Sequence, residues 1–493
     1  MTAIRPFLSR ALFAGCAAGA LGACATVPGA GIAPGTPITP AEAQQGAQYH
    51  EQFVREFGGE VSGPQADYVA SVGQKIAVQS GLATTPGAFD VTLLDSSVNN
   101  AFAVPGGYVY VTRQLVTLMN NEAELAGVLG HEVGHVSARH SARRQQAAQR
   151  NQLLGVLGSV LSGVLLGDSA LGDLGQRVAS TAPQLATLSY SRSQELEADD
   201  LGVQYLESAG YDPHAMATVL ASLAAQNSLD AQLQGQGDAT VPQWASTHPD
   251  PASRVQNALQ LAGNRTGATN ADVFLTRIDG LVYGDSPKQG VIEGRSFIHP
   301  VLRLSFTAPD GFYMVNGSDA VSISGSGGQA QMSGGSYSGN LETYVRQQFQ
   351  ALGGQNSTLA PQEMKRTTIN GLPAVYGTAR VTSSGNQVDV AVFAYEFSNT
   401  QAFHFTAIAP AGQIGMFNPM FQSMRRISTA EAGQVVPRRI DVVTAGRGDS
   451  VRSLAAKMAY TDAQEARFRV LNGLSSSDQV VPGRKYKIVI RSN

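Results

Sequence analysis

Cysteine is almost absent: the chain has two in 493 residues, and both, Cys16 and Cys24, fall within the first 24 positions. Beyond them no internal disulfide is possible, so stability must come from packing and from any bound metal. Charge is sparse as well, with Asp, Glu, Lys and Arg at 14% and a net charge of −3. Nucleic-acid readers usually carry a basic patch or stripe, so no nucleic-acid partner is expected. Long apolar runs are also missing. Leu153 to Leu166 carries no charge but is interrupted by Gly158, Ser159, Ser162 and Gly163, and it falls short of the ~20 residues that span a bilayer. It reads as a buried or lid-like helix over a cleft, with a membrane-facing hairpin as the alternative.

Arg5 and Arg10 precede an apolar stretch, Ala11 to Ala23, of signal-peptide length and too short to cross a membrane. Residues 1–23 therefore read as an export signal. Leu21-Gly22-Ala23-Cys24 resembles the bacterial lipobox, which implies cleavage before Cys24 and lipid modification of it. Ala25 rather than Asp follows, which by the same resemblance favours the periplasmic face of the outer membrane. Membrane contact is then expected through the lipid anchor only. Residues 24–45, rich at first in Pro, Gly, Ala and Thr, read as a flexible tether.

The centre of the chain is Gly130-His131-Glu132-Val133-Gly134-His135. On a helix, positions i and i+4 lie about 40° apart and one turn along the axis, so both imidazoles face one way. That is the spacing of a zinc pair. Glu132 sits beside that face, where it can act as general base on a water held by the metal. The flanks favour a helix: Asn121 and Glu124 form a capping-box pattern, followed by Ala123, Leu125, Ala126, Val128 and Leu129. Phe89 to Leu94 and Tyr108 to Thr112 read as strands of a small sheet ahead of it. Asn100, Ala101, Phe102 and Ala103 are expected to form an edge strand that receives substrate.

Hydrolytic zinc usually takes three protein ligands and keeps one position open. In the helical window Tyr190 to Tyr205, Glu195 and Asp199 are i and i+4. They fit a carboxylate ligand followed by an acceptor that orients a ligand histidine. Glu197 projects about 200° from Glu195 and His140 about 140° from His135 on a continuous helix, so neither is expected to share the ligand face. His248 is expected in the active site, as an oxyanion donor or as a gate on the open position.

Asn100-Ala101-Phe102-Ala103, Pro105-Gly106-Gly107, His131 to His135, Ser191-Arg192, Glu195 with Asp199, Gly210-Tyr211-Asp212-Pro213, and His248-Pro249 followed by Arg254 stand in this order. The pattern over about residues 46 to 262 resembles the gluzincin family of HtpX, the prenyl-protein peptidase and BepA. The resemblance implies a mainly α zincin-like metallopeptidase domain with a small β-sheet at 46–265 and one Zn2+ per chain. His131, His135 and Glu195 would be its ligands, with Asp199 and Arg254 behind them. The implied activity is zinc endopeptidase action on misfolded or unassembled polypeptides of the cell envelope. Two alternatives are a zinc-retaining assembly factor without proteolysis and a zinc-dependent peptidoglycan hydrolase.

Residues 280–430 shift to short alternating runs with one helix, Leu341 to Leu352, and read as an α+β sandwich domain. Thr368 to Ala374 resembles a segment of PsbP-like domains. His299 and His404 read as structural. Residues 437–491 read strand, helix, helix, strand. Val443 to Ser450, Leu454-Ala455, Leu471-Asn472 and Val481-Pro482-Gly483 resemble a LysM module, which implies peptidoglycan as a partner. The fold expected is thus multidomain: a zincin-like domain, a sandwich and a βααβ LysM-like module.

Overall fold

The computed structural model describes residues 33, 35–146, 190–233, 248, 250–353, 359–383 and 386–492. The leader, Cys24 and the stretch from Leu153 to Leu166 lie outside the described residues. Helix α1 (Pro40–Glu56) starts with Thr39 and Glu42 in reciprocal capping bonds, and α2 (Pro64–Ala77) follows it. Proline in the first turn of each costs no hydrogen bond, because those N–H groups have no helical partner.

The expected tether is shorter than residues 24–45. Gly35 N donates to Ser137 Oγ at 3.1 Å, and Arg139 Nη2 donates to the Thr36 carbonyl at 2.8 Å. Arg139 Nε also donates to the Glu42 carboxylate at 3.1 Å, and both side chains are buried. A buried guanidinium must find acceptors to offset its desolvation, and residues 36–42 supply them. That stretch therefore belongs to the first folded unit.

Strands β1 (Asp90–Leu94), β2 (Ala101–Val104) and β3 (Tyr108–Thr112) form a sheet in the order β1-β3-β2, with β2 at one edge. Gly106 and Gly107 take φ of 99° and 89° in the turn between β2 and β3, a left-handed conformation that glycine adopts without a Cβ clash. Helix α3 (Arg113–Leu118) leads into α4 (Glu122–Ser137), which is buried along nearly its whole length. The Asn121 side chain accepts from Glu124 N at 2.9 Å, as a cap should. The capping box is only half formed, because Glu124 turns its carboxylate to Asn120 N at 2.7 Å and Thr218 Oγ1 at 2.8 Å.

Helices α5 (Arg192–Ser208) and α6 (Ala215–Leu233) pack on α4, and α7 (Pro251–Ala262) packs on α5 and α6. The crossing of α4 and α5 is made of small residues. A Cβ on Gly134 would lie 3.1 Å from the Ala198 carbonyl oxygen, and one on Gly202 would lie 3.2 Å from His131 N. Backbone thus meets backbone there, and this near approach puts residues 195 and 199 beside residues 131 and 135. Helix α8 (Ala271–Ile278) adds Phe274, Leu275 and Ile278 to the core that holds Leu125 and Val203. The first unit therefore runs past residue 265.

A separate β-rich region follows, with several sheets. Its seven-stranded antiparallel sheet contains Leu372–Ser383, Asn386–Ser398 and Gln401–Pro410 as successive hairpin strands. Val388, Val390 and Val392 face the helix Leu341–Gly353, while Ala391, Phe393 and Tyr395 share a core with Phe297 and Phe306 of a four-stranded sheet. This two-residue alternation covers both faces of the large sheet. At the C-terminus, β5 (Arg438–Thr444) pairs with β6 (Lys485–Arg491) and with the short β4 (Val282–Tyr283). Lys487 of β6 is buried and donates from Nζ to the carbonyls of Thr117 at 2.7 Å and Met119 at 2.5 Å. The C-terminal strand is thereby fixed to the end of α3. Among the described residues no helix is long and apolar enough to cross a membrane.

Candidate metal centre

Helix α4 aims His131 and His135 at a common point, with their Nε2 atoms 3.0 Å apart. From α5, Glu195 brings Oε1 to 3.4 Å from His135 Nε2 and Oε2 to 3.6 Å from His131 Nε2. His248, on the segment just before α7, places Nδ1 3.3 Å from His131 Nε2 and 3.2 Å from Glu195 Oε1. All four side chains are buried, and their donor atoms lie within 4.8 Å of one another. Ligands about 2.0–2.1 Å from a tetrahedral zinc ion sit about 3.3 Å from each other. The observed spacings cluster around that edge length, so the donor set fits the ion, and its nitrogen and carboxylate chemistry suits zinc.

The same helices hold these donors in place. His131 Nδ1 lies 2.9 Å from Asp199 Oδ1. Arg254 of α7, itself buried, forks onto Asp199 through Nε at 2.7 Å and Nη2 at 2.5 Å, and donates from Nη1 to Glu195 Oε2 at 2.6 Å. Burial alone would raise the Glu195 carboxyl. With no metal bound, the nearby His248 charge and the hydrogen bonds from His135 and His248 outweigh it and hold the group well below the usual carboxylate range; metal binding displaces those protons. Asp199 is likewise pushed up by burial and more than recovered by its bonds to Arg254 and His131. Burial drives His135 well below its ordinary value, so it is neutral, as an imidazole ligand must be.

Glu132 differs. Its Oε1 is buried and has no hydrogen-bond partner among the described residues, with His248 Nε2 3.4 Å away. Burial raises its carboxyl. A carboxylate oxygen left without a hydrogen bond beside a metal site is available to take a proton from a reacting water.

Every expected ligand is thus brought to one place, together with Asp199 and Arg254 behind them. His248, expected as oxyanion donor or as gate on the open position, has its Nδ1 beside the three expected ligands, where the open position would be. Asn100 precedes β2, with its N–H bound to Thr112 Oγ1 at 3.1 Å, and Ala101, Phe102 and Ala103 lie in β2. A cavity lined by Tyr49, Phe53, Ala103, Val104, His135 and Tyr190 runs between this edge and the site.

His140 and Tyr190 also reach His135, with Glu197 behind His140, and helical geometry alone misses this. The angle between His135 and His140 assumes one continuous helix, but α4 ends at Ser137 and Arg139 takes φ of 51°. The reversal returns His140 Nδ1 to 2.7 Å from His135 Nδ1, and Glu197 Oε2 lies 3.1 Å from His140 Nε2. The Tyr190 ring stacks on His135 with centroids 3.9 Å apart. Nothing in the one-dimensional spacing signals that reversal.

Residues 64–262 match the description "Peptidase family M48". The chain is 32% identical over 237 residues to a beta-barrel assembly-enhancing protease of Escherichia coli O157:H7, covering 47% of this chain and 46% of that protein. A protein of the same name from Yersinia pestis is 34% identical over 194 residues, covering 39% of this chain and 37% of its own. A mitochondrial metalloendopeptidase OMA1 of Arabidopsis thaliana is 32% identical over 167 residues, covering 34% of this chain and 30% of its own. The match spans less than half of each of these relatives.

Proposed function

From the match of residues 64–262 to peptidase family M48, we propose that this chain is a zinc-dependent endopeptidase acting on polypeptides of the cell envelope. The observation that carries the proposal is the buried set of His131, His135, Glu195 and His248 with the Oε1 of Glu132 making no hydrogen bond beside it. Bound zinc supplies Lewis-acid activation of water and stabilisation of the charge that develops on the scissile carbonyl. His131, His135 and Glu195 would hold it, while Asp199 and Arg254 fix His131 and Glu195. Glu132 takes the proton of the attacking water and returns it to the departing amine. A substrate strand adds to β2, whose outer edge lies next to α4, with the cavity beyond Ala103 and Val104 receiving a side chain.

His248 acts as the gate in this proposal rather than as the oxyanion donor. Its Nδ1 sits among the other donors, so substrate entry requires it to swing away. The same closed set supports a second reading, since four protein donors are also what a structural zinc site has. In that case the protein would assist assembly without cleaving anything.

The envelope assignment draws on the lipobox-like Cys24, on the LysM-like order of β5, two helices and β6, and on the names of the bacterial relatives. Peptidoglycan would be the partner of the C-terminal module, and the lipid on Cys24 the membrane contact.

Purified protein with one equivalent of zinc should degrade an unfolded polypeptide such as casein. Glu132→Gln should lower the rate by about 10²–10⁴-fold with zinc content unchanged. His248→Ala should raise the rate. No cleavage by wild type or by His248→Ala, with zinc retained in both, would establish the structural reading instead. A rate that falls in His248→Ala would return that residue to the oxyanion role.

A further inference from the structure

The two imidazoles of α4 are supported differently, and the difference points to two residues with no role so far. His131 Nδ1 faces the Asp199 carboxylate directly at 2.9 Å. His135 Nδ1 faces another imidazole, His140 Nδ1, at 2.7 Å, and His140 Nε2 lies 3.1 Å from Glu197 Oε2. Arg143 Nη1 completes the row, 3.0 Å from the same oxygen. His140 is fully buried, whereas the Glu197 side chain is 36% exposed.

Hydrogen accounting leaves one arrangement. His135 Nε2 points at the other donors and must offer a lone pair there, so Nδ1 carries the proton. Nδ1 of His140 must then accept, which puts its proton on Nε2, and that proton is donated to Glu197. The chain of bonds ends on a carboxylate paired with Arg143. Each link is satisfied only if the others are. Tyr190 adds a restraint of a different kind, because its ring lies on the His135 face at 15° and fixes the plane in which Nε2 points.

We propose that His140 and Glu197 are positioning residues for the metal: through His140, the Glu197 carboxylate sets the tautomer, ring orientation and donor strength of His135. The site then has the same support built twice, once by direct carboxylate and once through an intervening imidazole. The proposal rests on the reading of His135 as a zinc ligand and is independent of whether the protein cleaves peptides.

The test is zinc affinity, measured on the full chain by competition with a chromophoric chelator. His140→Ala removes the acceptor for His135 Nδ1–H and should weaken zinc binding about 10–100-fold. His140→Asn keeps an acceptor oxygen near the Nδ1 position and should restore most of that loss. Glu197→Leu lies at the partly exposed end, where folding is least at risk, and should weaken binding several-fold. With cobalt in place of zinc, the paramagnetically shifted Nδ1–H resonance of His135 should persist in wild type and His140→Asn. In His140→Ala it should disappear into solvent exchange. Zinc affinity within twofold of wild type for both His140→Ala and Glu197→Leu would overturn the proposal. Equal losses in His140→Ala and His140→Asn would overturn it too, since a packing defect predicts no rescue. Failure of the wild-type chain to bind zinc or cobalt would overturn the metal-site reading itself, and this inference with it.

Discussion

Replacing Arg254 with Met tests the electrostatic design of the centre without touching a ligand. Arg254 is among the largest fully buried side chains of the protein, and its guanidinium makes 2.5–2.7 Å bonds to both Asp199 and Glu195. Met keeps much of the apolar stem and removes the charge. Two carboxylates held ionised by their surroundings are then left in a dry site with one countercharge fewer. Removing one partner of a buried ion pair costs about 3–5 kcal/mol, which is two to more than three decades in the folding equilibrium. The metal-free variant should show this loss in urea unfolding with EDTA present, in the transition that zinc shifts in wild type. Zinc adds positive charge beside Glu195, so the loss should be smaller in the zinc-saturated variant. Zinc should accordingly stabilise Arg254→Met more than wild type. A metal-free variant within about 1 kcal/mol of wild type would refute the reasoning, because an unpaired buried carboxylate cannot be that cheap. The same would follow if zinc stabilised both proteins equally.

Acid should weaken the β-rich region through His404, which burial pulls down from 6.5 to about 4. The unfolded chain takes up the proton first as pH falls below 6.5, so stability present at neutral pH is lost progressively as pH drops through about 4. The gap corresponds to about 3 kcal/mol. His404→Phe should flatten the slope of stability against pH between 7 and 4, and an unchanged slope would remove His404 as the cause. At the C-terminus, Lys487→Met strips the donor from the buried carbonyls of Thr117 and Met119, at a cost of about 1–3 kcal/mol. Hydrogen exchange should quicken in α3 and in β6 together. Unchanged protection in α3 would show that the strand is not fastened there.

Zinc chemistry was legible along the chain wherever a single helix carried it. His131 and His135 share a face because four residues make about one turn, and the same arithmetic pairs Glu195 with Asp199. The strands Asp90–Leu94 and Tyr108–Thr112 were readable from β-branched and aromatic content, and the βααβ order at the C-terminus from its short alternating ends. These are local patterns, and local geometry fixes them. What brought the two helices together was not local: Gly134 against Ala198 and Gly202 against His131 allow the backbones to meet, and no periodicity announces which glycines do so. His248 closes the donor set from more than a hundred residues away. His140 escaped the helical angle because the backbone reverses at Arg139. Lys487 stands in an alternating strand as any solvent-facing lysine would, yet it is buried against Thr117 and Met119. The sequence alone determined which side chains could bind a metal and activate water, since spacing within an element follows from covalent geometry. Only the tertiary structure decided that His248 stands beside the other three donors and that His140 meets His135, because those contacts depend on where separate elements cross.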